Sequence, residues 1–226
     1  MFETLIGQTA VKNKLGFYAK AQHKTSESPF LLLVAEKGSG KTHFARNYGK
    51  GLMRSDGKGE KKFLEINSST IGSTRQFLET LYVPSVMGEE VSILFDEAHE
   101  LPKNFVAALL TVMDVSKGTR KTLRTSEGEF DFNFKELAFI FATTEPDQLF
   151  DPLVSRMERI DFARYTNDEL GQIMTMNVPE VKIEKSIMEE ITATLRSNAR
   201  QAVKMAHNID KWAEINNSTD FGAKQW

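Results

Sequence analysis

Cysteine is absent from the 226 residues, which removes disulfides, thiolate metal sites and cysteine nucleophiles together. The four histidines are scattered, with no cluster at zinc-ligand spacing. An excess of charge of either sign is also missing: 29 Lys and Arg face 31 Asp and Glu, a formal net charge of −2. That balance excludes a histone-like coat and leaves only a local basic face for attraction to phosphates. No apolar run approaches the roughly 18 residues that span a bilayer. The N-terminal stretch has neither a basic leader nor a long apolar segment. The expectation is a cytoplasmic protein without membrane contact, whose chemistry rests on carboxylates, hydroxyls, lysine and arginine.

What is present is a series of short apolar runs. Phe30 to Val34, Val91 to Phe95 and Leu137 to Phe141 are nearly unbroken and bounded by polar residues, Gly or Pro. Continuous hydrophobicity over so few residues predicts strands buried on both faces, as in a parallel sheet covered by helices. Lys62 to Ile66 alternates more and suits a position nearer an edge, and Arg159 to Phe162 is a weaker fifth strand. Helical patterns at 10–21, 41–53, 74–81 and 103–114 alternate with these runs, so the fold class is α/β with a mostly parallel sheet. After Phe162 the strand signals stop and three helical patterns follow, at 167–174, 183–195 and 199–213. In the last, Ala202, Ala206, Ile209 and Ala213 share a face. The break near Arg164 predicts an α/β domain over 1–164 and a small helical domain over 165–226. Gly49 to Lys62 is expected to be a mobile surface loop, and the tail after Asn216 to fray.

Directly after the first strand comes Ala35-Glu36-Lys37-Gly38-Ser39-Gly40-Lys41-Thr42, a phosphate-loop pattern with Ala35 in place of its first Gly. Glycines at 38 and 40 let backbone N–H groups wrap an anion, and the helix that follows adds its positive end. Lys41 then reaches the β- and γ-phosphates and the Thr42 hydroxyl ligates magnesium. Ile93 to Glu97 ends the third run in two acids. Asp96 is placed to hold magnesium through water, and Glu97 to orient and polarise the attacking water. His99 completes the letters DEAH, which point to a two-lobed helicase. The chain is too short for the second lobe, and His99 is read as helix-start surface.

With both motifs in place, the order of elements resembles the AAA+ ATPases, and most closely the RuvB family of Holliday-junction branch-migration motors, over roughly Phe2 to Ala213. The stretch from Phe2 to Gln8 is similar to that family's N-terminal box, in which Ile6 and its neighbours line the adenine pocket. Leu94 to Leu101 resembles its extended acidic motif. Phe141 to Glu145 stands at the sensor-1 position, which implies that Thr144, or else Thr143, touches the γ-phosphate or the water. Asp151 to Arg156 resembles the arginine-finger segment, and Ser155-Arg156 also resembles the clamp-loader version. The resemblance makes Arg156 the finger that enters a neighbouring subunit's site, with Arg159 as the second candidate.

Phe162 to Leu170 looks like the family's entry into the helical lid, which implies that Tyr165 packs near the adenine. Ser197 to Arg200 resembles the start of the sensor-2 helix and directs Arg200 at the γ-phosphate. The implied nucleotide contacts are therefore Ile6, Ala35 to Thr42, His43, Tyr165 and Arg200, with ATP and Mg2+ as cofactors. The Ala35 substitution is one the family tolerates, because that side chain points away from the phosphates. RuvB proteins continue into a winged-helix DNA-binding domain past the position of Trp226, which leaves branch migration itself open.

Lys117, Arg120, Lys121 and Arg124 cluster without an acid among them, and the alternation from Glu129 to Phe134 predicts a β-hairpin arm. Two readings stand: a phosphate-backbone contact, or a solvated hairpin with an apolar base. A second basic patch, Lys50, Arg54, Lys58, Lys61 and Lys62, is broken by Asp56 and Glu60 and is read as solvated surface. The expected assembly is a ring or spiral, a homohexamer, that hydrolyses ATP at its interfaces. Its work is DNA processing in replication or recombination, on DNA directly or through a partner protein. A protein-remodelling chaperone of the same class is the alternative, and a slow regulatory switch a third reading.

Overall fold

Five parallel strands form the sheet, and their order follows from how apolar each one is. The computed structural model describes residues 2–114, 118–126 and 128–223. In the sheet, β1 (Leu31–Val34), β2 (Lys62–Asn67), β3 (Val91–Asp96), β6 (Leu137–Thr143) and β7 (Glu158–Asp161) run in the order β2-β3-β6-β1-β7. All neighbours are parallel, with Leu64 paired to Ile93, Ile93 to Phe139, and Leu32 to both Phe141 and Arg159. Every residue of β1 and β6 is buried, as strands covered on both faces require. The alternating β2 lies at one edge and the weak β7 at the other.

Helix α1 (Thr9–Thr25) precedes the first strand, and α2 (Lys41–Lys50), α3 (Thr74–Phe77), α4 (Val83–Ser85), α5 (Lys103–Val112) and α6 (Asp151–Val154) fall between the strands, α3 continuing through a π-helical turn at Leu78–Tyr82 into α4. Phenylalanines bind the layers together: Phe95 stacks on Phe141 at 4.9 Å, and Phe77 packs against Phe105 at 4.6 Å.

Between β3 and β6 the chain makes an antiparallel hairpin, β4 (Arg120–Thr125) with β5 (Gly128–Asn133). Its apolar side is anchored in the core. Leu123, Phe132 and Phe134 are buried, Tyr82 stacks on Phe132 at 4.4 Å, and the Tyr82 hydroxyl donates to the Asp131 carbonyl. The basic cluster is not a uniform cationic face. Arg124 pairs with Glu129, and the Lys121 ammonium is buried with no hydrogen-bond partner among the described residues. Arg120 is exposed, and Lys117 lies outside the described residues.

Two local expectations are corrected. Within the surface loop Gly49 to Lys62, where Arg54 N donates to Gly59 O at 2.8 Å and Ser55 is held by Glu90 through its amide and hydroxyl, one residue of the basic patch is not solvated. Lys61 is 4% exposed, its ammonium donating to the carbonyls of Lys135 and Glu136 at 2.6 and 2.9 Å. It therefore belongs to no surface patch. The tail is also structured as far as it is described. β9 (Asp220–Phe221) pairs in parallel with β8 (Lys182–Ile183), and buried Phe221 meets Trp212 edge-on at 5.2 Å. Residues 224–226 lie outside the described residues.

Burial lowers the Lys61 pKa to about 8, against the opposing pull of Glu90 and Glu136. The unfolded chain keeps this proton to about pH 10.4, so between about pH 8 and 10 the unfolded state binds more protons and stability rises with pH. The full span is on the order of 3 kcal/mol. Urea unfolding at pH 8 and 9.5 should show the native protein gaining stability relative to Lys61→Met; parallel pH dependences would exclude a buried, charged Lys61.

The described residues pack as two compact units. One holds the sheet, the hairpin and helices α1 to α6, over 10–35 and 41–161 with the first residues of the chain. The other joins residues 4–9 and 36–40 to the segment from Phe162 onward. In the second, α7 (Asn167–Asn177), α8 (Lys185–Thr194) and α9 (Ala199–Asn216) surround Leu170, Met174, Ile191, Ala202 and Ala206. Thr166 and Glu169 form a capping box at the start of α7. The four residues of the predicted α9 face are all buried. No helix among the described residues is long and apolar enough to cross a membrane.

Candidate nucleotide-binding site

Because β3, β6 and β1 are neighbours and parallel, their carboxyl ends lie side by side, and open α/β sheets bind ligands at such ends. β1 runs into the phosphate loop, β3 into Asp96 and Glu97, and β6 into Thr143 and Thr144. Ala35 extends the ladder by donating its N–H to Thr143 O at 3.3 Å. The Lys41 side chain is buried and its ammonium donates to Ala35 O at 3.1 Å, which folds it under its own loop. Thr42, next on α2, donates its hydroxyl to Asp96 Oδ2 at 2.8 Å. His43 follows on the exposed side of the helix.

Glu97 has φ 52° and ψ 52°, the left-handed region that non-glycine residues rarely occupy and that recurs at functional sites. This turn separates the two acids: the Asp96 carboxylate stays on Thr42 and accepts the Glu97 N–H at 3.1 Å. The Glu97 carboxylate accepts from the Thr144 hydroxyl at 3.4 Å. Thr143 instead points inward, fully buried. The reading of His99 as surface is corrected: its side chain is 8% exposed and Nδ1 lies 2.9 Å from Thr143 Oγ1. The residue falls in a single 3-10 turn, Ala98–Glu100, which tucks the ring under the end of β6 before α5 begins.

The loop residues 36–40 are built by a tight turn, with Ser39 donating its amide and hydroxyl to Glu36 O. Gly38 and Gly40 have φ of +85° and +88°, open to glycine at little cost. A Cβ on Gly38 would stand 2.2 Å from Asn198 Oδ1. Asn198 is a residue that sequence reasoning passed over. Its Oδ1 caps α9 by accepting Gln201 N at 3.1 Å, while its Nδ2 donates to Lys37 O at 3.3 Å. Arg200 donates its backbone N–H to Gly38 O at 3.2 Å, and its side chain is exposed. Glu36 pairs with Arg164 at 2.6 Å, a second contact not anticipated. The available signal for Asn198 was its residue type directly before a helical pattern.

Ile6 packs against the core of the helical unit. Tyr165 is buried there, and burial, with Glu169 nearby, raises its hydroxyl to about 12. Gly7 has φ +67°, and a Cβ on it would come within 3.0 Å of the Tyr165 ring. Gln8, also missed, pairs its side-chain amide with the Ala163 backbone, donating at 2.6 Å and accepting at 3.0 Å. Arg156 and Arg159 are distinguished. Arg159 is held bidentately by Asp161, whereas half-buried Arg156 donates to Pro152 O and forms no ion pair among the described residues.

The family model of the ATPases associated with various cellular activities, AAA, matches residues 31–165. The chain belongs to the AAA ATPase family. Among curated relatives, this AAA ATPase is 24% identical over 196 residues to the Lon protease of Clostridium acetobutylicum, covering 81% of the chain and 25% of that protein. It is 26% identical over 228 residues to the Holliday junction branch migration complex subunit RuvB of Campylobacter hominis, covering 96% of the chain and 62% of that protein. The chain thus spans about a quarter of that Lon protease and under two thirds of that RuvB. Among solved structures, a mutant of Thermotoga maritima RuvB superposes with a TM-score of 0.78 at 20% identity, covering 97% of this chain and 68% of that one. The T. maritima RuvB Holliday junction branch migration motor gives 0.75 at 21%, covering 96% and 66%. The AAA ATPase thus has the AAA+ core fold of RuvB.

Proposed function

We propose that this AAA ATPase hydrolyses ATP with magnesium at the subunit interfaces of a cytoplasmic ring or spiral, a homohexamer, and couples the cycle to DNA processing as a RuvB-like motor or loader. The observation that carries the chemistry is the 2.8 Å contact between Thr42 and Asp96 beside the pair Glu97 and Thr144. A hydroxyl and a carboxylate so close are two hard oxygen donors. They suit magnesium, which takes few protein ligands and keeps water and phosphate oxygens; no cluster of three acidic or histidine ligands exists among the described residues. When bound, the metal neutralises charge on the β- and γ-phosphates.

The chain's own residues do the rest. Lys41 exchanges Ala35 O for the phosphates, and loop N–H groups around Gly38 and Gly40 cradle them. Glu97 accepts a hydrogen bond from the attacking water and takes up its proton, while Thr144 fixes the carboxylate. Arg200 addresses the γ-phosphate, and Arg156, with no ion pair among the described residues, serves the neighbouring subunit. Ile6 and Tyr165 border the base.

The DNA reading is supported by the RuvB similarity, which runs over 96% of the chain. The Lon matches favour a second reading, remodelling of a partner protein. ATPase rate measured against protein concentration, with and without single-stranded, duplex and four-way DNA, separates them. Cooperative stimulation by DNA is expected; concentration dependence with no DNA response would replace it with the protein-remodelling reading.

A further inference from the structure

The acidic motif and the end of β6 are joined by a side chain that the proposed chemistry does not use. His99 Nδ1 lies 2.9 Å from Thr143 Oγ1, and the same hydroxyl accepts the Glu145 N–H at 3.0 Å. Thr143 is fully buried, so its hydroxyl proton needs an acceptor. Of the two partners, the Glu145 amide is a donor, which leaves His99 Nδ1 as the acceptor. On the other side of the ring, Nε2 faces two carboxylates, Glu145 at 3.6 Å and Glu100 at 3.7 Å. Glu97 Oε2 lies 3.8 Å from Nδ1, whose lone pair the Thr143 hydroxyl already occupies. The ring therefore leaves the Glu97 carboxylate to Thr144, the residue next to Thr143.

We propose that His99 is a positioning residue for hydrolysis: through Thr143 it locks the end of β6 to the turn after β3, so that Thr144 and Glu97 are held against each other. This role rests on Glu97 being the carboxylate that polarises water. The His99 ring faces Thr143 and the carboxylates of Glu97, Glu100 and Glu145; it acts on the step after ATP is bound. The strained Glu97 backbone makes such a brace necessary, because a left-handed residue persists only where its surroundings over-determine it.

The test separates turnover from binding. His99→Ala and Thr143→Val each lower kcat at least about tenfold and change KM for ATP by less than about twofold. The double variant loses no more than either single one, because both remove the same link. His99→Asn places an acceptor near the position of Nδ1 and keeps kcat within about threefold of the native value, whereas His99→Gln, which reaches toward Nε2, does not. Asn and Gln at 99 are both polar, and their contrast holds the test if the Ala variant does not fold. Native kcat in His99→Ala, an Asn variant as slow as Ala, or losses that multiply in the double variant would each overturn the proposal. Undiminished turnover in Glu97→Gln would overturn the reading of Glu97 and this role with it.

Discussion

Glu97→Gln binds ATP with near-native affinity and turns it over about 100- to 10,000-fold more slowly, the range a positioned general base contributes. The amide is the same size as the carboxylate and can still accept from the Thr144 hydroxyl, now 3.4 Å from Oε2, so the left-handed turn is kept. What is lost is the charge that polarises water. The variant should accumulate in an ATP-bound, assembled form, read by size-exclusion chromatography in ATP, while single-turnover quench gives the rate. Normal turnover would remove Glu97 from its role and pass the search to another carboxylate at the strand ends.

Arg156→Ala lowers turnover about 1000-fold or more if its guanidinium stabilises the transferred phosphoryl, with ATP affinity kept. Lys41→Ala is inactive for the opposite reason, since it removes a phosphate contact in its own subunit. Mixed one to one, the two inactive variants recover activity, because random mixing gives about a quarter of the interfaces Lys41 from one subunit and Arg156 from the next. No recovery under conditions that assemble the ring would argue against the shared site. Arg159→Ala is the control. Asp161 already holds that guanidinium bidentately, and its loss should cost under about tenfold.

The parts legible in the sequence are those where one physical requirement dominates. Strands covered on both faces must be apolar throughout, so β1, β3 and β6 stood out, and the mixed character of Lys62 to Ile66 carried its edge position. The alternation around Phe132 gave the hairpin, because one face of a strand pair packs and the other does not. The phosphate loop was readable because φ near +85° at Gly38 admits little else.

What escaped notice depends on distant partners. Lys61 reads as surface until the carbonyls of Lys135 and Glu136, over 70 residues away, come to its ammonium. His99 reads as surface until β6 brings Thr143 across. Phe221 looks like part of a frayed end until β8 supplies a strand to pair with. In each case a polar or isolated residue has its role fixed by a contact that no local pattern encodes.

Asn198 ties two things of very different size: a carbonyl of the phosphate loop and the first turn of an 18-residue helix. Such a helix is about 27 Å long. The direction in which α9 leaves the phosphate loop is thus set at one side chain: the amide that accepts Gln201 N also donates to Lys37 O, so loop and helix axis share one fixed point.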